Sequence, residues 1–183
     1  MTATASDVER EIGRDRRRKE DQRLITGRTR WTDNIVLPGM LHLAMVRSPF
    51  AHATITSIDT SEAKGAPNVV AVLTGADFGE ELGVCINAWP ITPDQVTPAH
   101  SPMPSDRVAF AGEIVAVVVA RSAAEARDAA ELVDVEYDEL PAALELKAAA
   151  EAADNGGALA HPDLGTNKSA LWVFDSGEKA GAQ

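Results

Sequence analysis

Apolar residues in this chain fall into short runs, and the period of each run assigns an element. Residues 41–48, "LHLAMVRS", are largely apolar on both faces and predict a strand. Pro49 breaks it, because proline cannot donate to a ladder. "ATITSI" at 53–58 is rich in β-branched residues and predicts a second strand, placed to pair with the first across "PFAH". Asp59 can cap a short helix through Gly65, with Glu62 three residues on. "NVVAVLT" at 68–74 predicts another strand, and "GADF" after it the start of one helical turn. The signal fades over 79–105, where prolines stand at 90, 93, 98, 102 and 104. So long a loop inside a compact domain is often functional or an interface. Regularity returns at Val108. Ile114 to Ala120, "IVAVVVA", is an unbroken apolar run, as in a strand buried on both faces. Ser122 and Glu125 fit a capping box for a helix to about Leu132, with Ala126, Ala130 and Val133 on one face. Val133, Val135 and Tyr137 then alternate with Asp134, Glu136 and Asp138, the period of a half-buried strand with its acids outward. This stretch reads as a β-α-β unit. "LELKAAAEAAD" at 144–154 predicts an alanine-rich helix closed by Asn155-Gly156-Gly157, and the tail after it holds one apolar stretch, "ALWVF". The pattern is α+β (mixed α/β), and 183 residues suit one domain with tails.

Charge divides the chain. Residues 10–30 hold nine basic and four acidic residues, and 31 onward hold eight basic and 22 acidic, a balance of -14. An acidic body repels nucleic acid and anionic membranes at long range. The basic arm, "RDRRRK" at 14–19, has no aromatic residue to stack on bases and reads as a strap for an acidic protein surface. Residues 1–23 show no apolar period and are expected to be irregular. No apolar run approaches the roughly 18 residues of a membrane span. The N-terminal stretch lacks the apolar centre of a secretory signal. Cys85 is the single cysteine, so no internal disulfide or zinc site rests on cysteines. A reducing, cytoplasmic compartment is the expectation.

Asp134, Glu136, Asp138 and Glu139 form the densest acid cluster, but alternation sets the first three on the water side of one strand. The histidines are His42, His52, His100 and His161, and none has helical metal-pair spacing. His52 is expected in a polar turn contact, and His42 packed or paired within its strand. No base adjoins Cys85 in sequence to supply a thiolate. No glycine-rich phosphate loop follows a strand. Glu113, after Gly112, opens the apolar run as either a presented or a structural carboxylate. No catalytic, cofactor-binding or metal-ligating residue is assigned on these grounds.

Two stretches resemble one family. "TGRTRWTDNIVLPGMLHLAMVRSPFAHATITSIDTSEAKGAPNVVAVLTGADF" resembles the opening of molybdenum hydroxylase large subunits, those of xanthine dehydrogenase, aldehyde oxidase and aerobic carbon monoxide dehydrogenase. "DRVAFAGEIVAVVVARSAAEARDAAELVDVEYDELPA" is similar to a second pattern of the same subunits, in the same order, and the two cover about residues 12–167. Ile114 stands where the family usually has proline after Gly-Glu. The resemblance implies an α/β-hammerhead domain with a mixed β-sheet and packed helices over 24–167. It also implies an arm over 1–23 and a tail over 168–183 leading toward a molybdopterin-binding domain. The partners it implies are that downstream domain, an iron–sulfur subunit and a flavin subunit (FAD), the assembled units forming a dimer, with no nucleic acid and no membrane span.

The family's pterin-binding loops, active-site loop and late catalytic glutamate lie downstream of this module, and none of their motifs occurs before Gln183. No such residue carries over, and Cys85 is not equated with the active-site cysteine of the carbon monoxide enzymes. The expectation is an N-terminal structural segment, catalytically silent alone, whether a fragment, a truncated product or a separately encoded piece. The cofactor belongs to the complete subunit. The arm at 12–30 and the loop at 79–105 are expected to make the partner contacts. The alternatives are a stand-alone scaffolding or binding module with a hammerhead fold, and a small enzyme using Cys85 or the acid cluster.

Overall fold

A computed structural model describes residues 16–79, 83 and 92–171. The chain divides into two units, Met1–Met40 and Leu41–Gln183. In the first, a short helix α1 (Asp21–Ile25) starts where Asp21 accepts a hydrogen bond from the Arg18 amide at 3.1 Å and faces the Arg18 guanidinium at 3.2 Å. Residues 21–23, expected to be irregular, therefore open a helix: an acid in the first turn meets free amides. A single 3-10 turn follows at Thr32–Asn34, where the Trp31 amide donates to Asn34 Oδ1 at 3.2 Å.

The second unit carries six strands and four helices among its described residues. The strands are β1 (His42–Arg47), β2 (Ala53–Asp59), β3 (Val69–Thr74), β4 (Arg107–Val108), β5 (Ile114–Ala120) and β6 (Asp134–Glu139). The helices are α2 (Ser61–Gly65), α3 (Gly75–Phe78), α4 (Ala123–Ala130) and α5 (Leu146–Asn155). The strands form two three-stranded sheets, ordered β1-β5-β3 and β4-β2-β6. Every pair is antiparallel. Odd-numbered strands make the first sheet and even-numbered strands the second, so each connection crosses from one sheet to the other.

The α+β class stands, with two corrections to the arrangement. β1 and β2 do not pair; β1 pairs with β5, and β2 with β4 and β6. Two antiparallel sheets replace the single mixed sheet, and β5-α4-β6 is not a one-sheet β-α-β unit. The reason lies in burial, which is not local. β5 is the apolar centre of the first sheet, and β6, with one polar face, suits the edge of the second.

Two clusters form the core. Ala53, Ile55 and Val108 of the second sheet meet Val115 of the first, with Phe50 and Tyr137 packed against them. The two rings lie 5.2 Å apart. On the first sheet, Val72 and Val118 pack under Ala63 of α2 and Ala129 of α4. Alanines on these helices let the backbones approach the sheet closely. Ser122 caps α4 as its spacing predicts: its hydroxyl accepts from the Glu125 amide at 3.2 Å and donates to Glu125 Oε2 at 2.8 Å. Asp59 accepts from the Ser61 amide at 2.8 Å at the start of α2. Gly156, at φ 69°, closes α5 in the left-handed conformation that glycine adopts without strain.

Candidate functional site

Three polar residues of the described core are buried: Ser48, His52 and Glu113. All three stand where the chain crosses between sheets. Ser48 and His52 lie on the β1–β2 crossing, and Glu113 ends the β4–β5 crossing. The Gly112 amide donates to the Ser48 carbonyl at 2.8 Å, and the Ser48 amide donates to the Glu113 carbonyl at 2.9 Å. Arg47 Nη1 donates to the Gly112 carbonyl at 2.6 Å. Gly112 turns the chain at φ 90°, a conformation that an L side chain rarely adopts.

That turn points the Glu113 side chain inward, where it is 4% exposed. Its Oε2 accepts from the Ala109 amide at 2.6 Å, so the carboxylate closes its own crossing. Its Oε1 lies 3.9 Å from His100 Nδ1, and the His100 ring stacks at a tilt on Phe110 with centroids 5.7 Å apart. His52, 5% exposed, sets Nδ1 2.8 Å from the Pro141 carbonyl. A carbonyl only accepts, so Nδ1 carries a proton, and Nε2 is buried without a hydrogen-bond partner among the described residues. The Leu140 amide donates to the His52 carbonyl at 2.9 Å, fastening the end of β6 to the same crossing.

Beside Glu113 opens a cleft of about 380 Å³, lined by His100, Ser101, Ser105, Arg107 and His161 among others. Arg107 Nη2 faces Asp163 Oδ2 at 3.6 Å. His161 is held below the usual imidazole pKa, chiefly by burial and then by the charges of Arg107 and His100; Glu113 pulls the other way and His52 adds to the lowering. Sequence spacing gave no hint that these residues meet, because they are brought together by the sheet crossings and by the chain after α5. Asn167 anchors that chain, accepting from the Ala160 amide and donating to the Ala149 and Ala158 carbonyls.

The remaining candidates separate. Asp134, Glu136 and Asp138 are exposed along β6, as the alternation predicts, and Glu139 at its end is exposed as well. The Ser57 hydroxyl donates to Glu136 at 2.9 Å. His42 is half-buried at the start of β1. Cys85 lies outside the described residues, as do 80–82 and 84–91 of the proline-rich stretch. Three other carboxylates titrate low because they are bonded at turns: Asp59 by the Ser61 amide and hydroxyl, Asp77 by the Thr74 amide and hydroxyl, and Glu125 by Ser122 and Asn68. Among the described residues, no group of three or more His, Cys, Asp or Glu side chains is arranged to hold a metal ion. No helix of the described residues is long and apolar enough to cross a membrane.

Two small antiparallel sheets, joined by bonded crossings and backed by short helices, define an α+β module. The pattern of the aldehyde oxidase and xanthine dehydrogenase a/b hammerhead domain matches residues 26–141, and the chain belongs to that family. It is 42% identical over 130 residues to the carbon monoxide dehydrogenase large chain of Afipia carboxidovorans, covering 71% of this chain and 15% of the relative. It is 36% identical over 118 residues to the xanthine dehydrogenase molybdenum-binding subunit of Escherichia coli O157:H7, covering 64% and 16%. The crystal structure of quinoline 2-oxidoreductase from Pseudomonas putida 86 superposes with a TM-score of 0.74 at 46% identity, over 84% of this chain and 19% of that one. The chain thus spans under a fifth of the length of these relatives.

Proposed function

We propose that this chain is the hammerhead scaffold of a molybdenum hydroxylase large subunit, and that the oxidative chemistry belongs to polypeptide outside it. The observation that carries this reading is the use made of the buried polar groups. Ser48, His52 and Glu113, the residues best placed to act, are bonded to backbone at the sheet crossings. Residues 24–167 form the working module on this reading. On the same reading the arm at 12–30 and the stretch at 79–105 contact neighbouring domains and the iron–sulfur and flavin subunits, the tail at 168–183 leads toward the molybdopterin-binding domain, and the assembled units form a dimer.

Molybdopterin does not fit the polar cleft beside Glu113. A pterin phosphate needs converging donors. This cleft mixes its donors with the acids Glu113 and Asp106, and its guanidinium, Arg107, already faces Asp163, so no converging set of free cationic donors is left for a phosphate among the described residues. The cofactor is accordingly placed elsewhere in the complete subunit, and no catalytic step is assigned to the present residues. The test is the purified chain by itself. Its molybdenum content and its dye-linked oxidation of carbon monoxide, purines, aldehydes and quinoline should both be at background. Turnover by the chain alone, or stoichiometric molybdenum on it, would overturn the reading.

A further inference from the structure

Among the described residues, helices cover one face of the first sheet. Val72 and Val118 lie on the face packed by α2 and α4. Strand alternation turns Val117 and Val119 to the other face. There they pair with Met45 and Leu43 of β1 and with Leu73 and Ala71 of β3. Leu43 is 53% exposed and Met45 47% exposed, and the other four are half-buried. These six side chains are all apolar. β1 is also an edge strand whose ladder partner is β5. Among the described residues, one row of its backbone donors and acceptors has no ladder partner and can take an added strand.

We propose that this face and the β1 edge seat the remaining polypeptide of a molybdenum hydroxylase large subunit, whether joined to this chain or supplied separately. The inference rests on the scaffold reading above and names the surface that performs it. Three observations select this occupant. The patch is apolar, and of the cations beside it among the described residues Arg47 is bonded to the Gly112 carbonyl and to Met45 Sδ, while Arg127 shares the groove along β1 with the carboxylate-bearing Glu131. The patch suits the apolar surface of a protein rather than an anionic ligand. The unbroken apolar run of β5 is the composition of a strand covered on both sides, yet Val117 and Val119 are only half-buried. The family supplies the cover, since the matched stretch makes up only 15% of the carbon monoxide dehydrogenase large chain.

Methionine oxidation tests the proposal directly. Met45 is exposed and Met103, at 7% exposed, is an internal reference. Under dilute peroxide, read by peptide mass spectrometry, the isolated chain should oxidise Met45 about tenfold faster than Met103, because susceptibility follows exposure. In the complex purified from the native source, Met45 should fall to the rate of Met103. Leu43→Glu should abolish co-purification of the molybdenum-bearing polypeptide while leaving the melting temperature of the isolated chain unchanged. Leu144→Glu, at an exposed position off the patch, should do neither. Rapid oxidation of Met45 in a complex that contains molybdenum would overturn the proposed surface and leave the scaffold reading standing. Concentration-dependent protection of Met45 in the isolated chain, with a dimer mass, would make a second copy the occupant and overturn it also. Purification without any molybdenum polypeptide would overturn both.

Discussion

Removing the Glu113 carboxylate should unfasten the crossing between the two sheets. Glu113 is 4% exposed, and Oε2 lies 2.6 Å from the Ala109 nitrogen. A hydrogen bond to a charged group is worth about 1.5–3 kcal/mol, and its loss strands a half-buried amide. Glu113→Ala should therefore cost about 2–3 kcal/mol. Glu113→Gln keeps an acceptor of the same shape without the charge and should cost about 1 kcal/mol. Urea unfolding followed by far-ultraviolet circular dichroism at pH 7 gives the answer. With a slope of about 2 kcal/mol per molar urea, the alanine midpoint should fall by about 1–1.5 M and the glutamine midpoint by about 0.5 M. An alanine variant within about 0.5 kcal/mol of the parent, the range of neutral surface changes, would refute the structural role of this carboxylate.

Other consequences are equally direct. Gly75→Ala drives a Cβ into the Met103 carbonyl oxygen and against the Pro104 backbone. It should cost about 1–3 kcal/mol by overpacking, read as a lower melting temperature. Ser122→Ala removes the N-cap of α4 and should cost about 1 kcal/mol in the same urea assay. His161 titrates below its usual value in the folded chain, so the unfolded chain takes up the proton first as pH falls. Its contribution is fully present above the unfolded value near 6.5 and is lost as pH drops through that value toward the folded one. The melting temperature should rise from pH 5 to pH 7, and His161→Asn should flatten that rise; a slope unchanged in the variant would refute the assignment.

Much of the local structure could be read from the chain. The β-branched runs became β2 and β3, the Ser122-x-x-Glu125 spacing became a real cap, and the acidic alternation at 134–138 became an exposed strand face. Each is decided by neighbours within a few residues. Pairing is not. Because successive strands alternate between sheets, every ladder joins residues distant in sequence, and β1 and β2, adjacent in the chain, end in different sheets. The cleft shows the same limit. Glu113 reads in sequence as either a presented or a structural carboxylate, and only the Gly112 turn and the Ala109 amide show that it faces inward and is bonded to backbone. Ser48 gave one usable signal, its place just before Pro49, where a strand has to end and its last polar group needs a partner. The approach of His161 to Arg107 had none, since the chain after α5 delivers it.

Native mass spectrometry of the particle containing this chain, purified from its own source, tests the scaffold claim most directly. The account predicts a stable assembly in which this module accompanies a molybdenum-bearing polypeptide in equal numbers. A chain that emerges alone, or bound only to polypeptides without molybdenum, would contradict it.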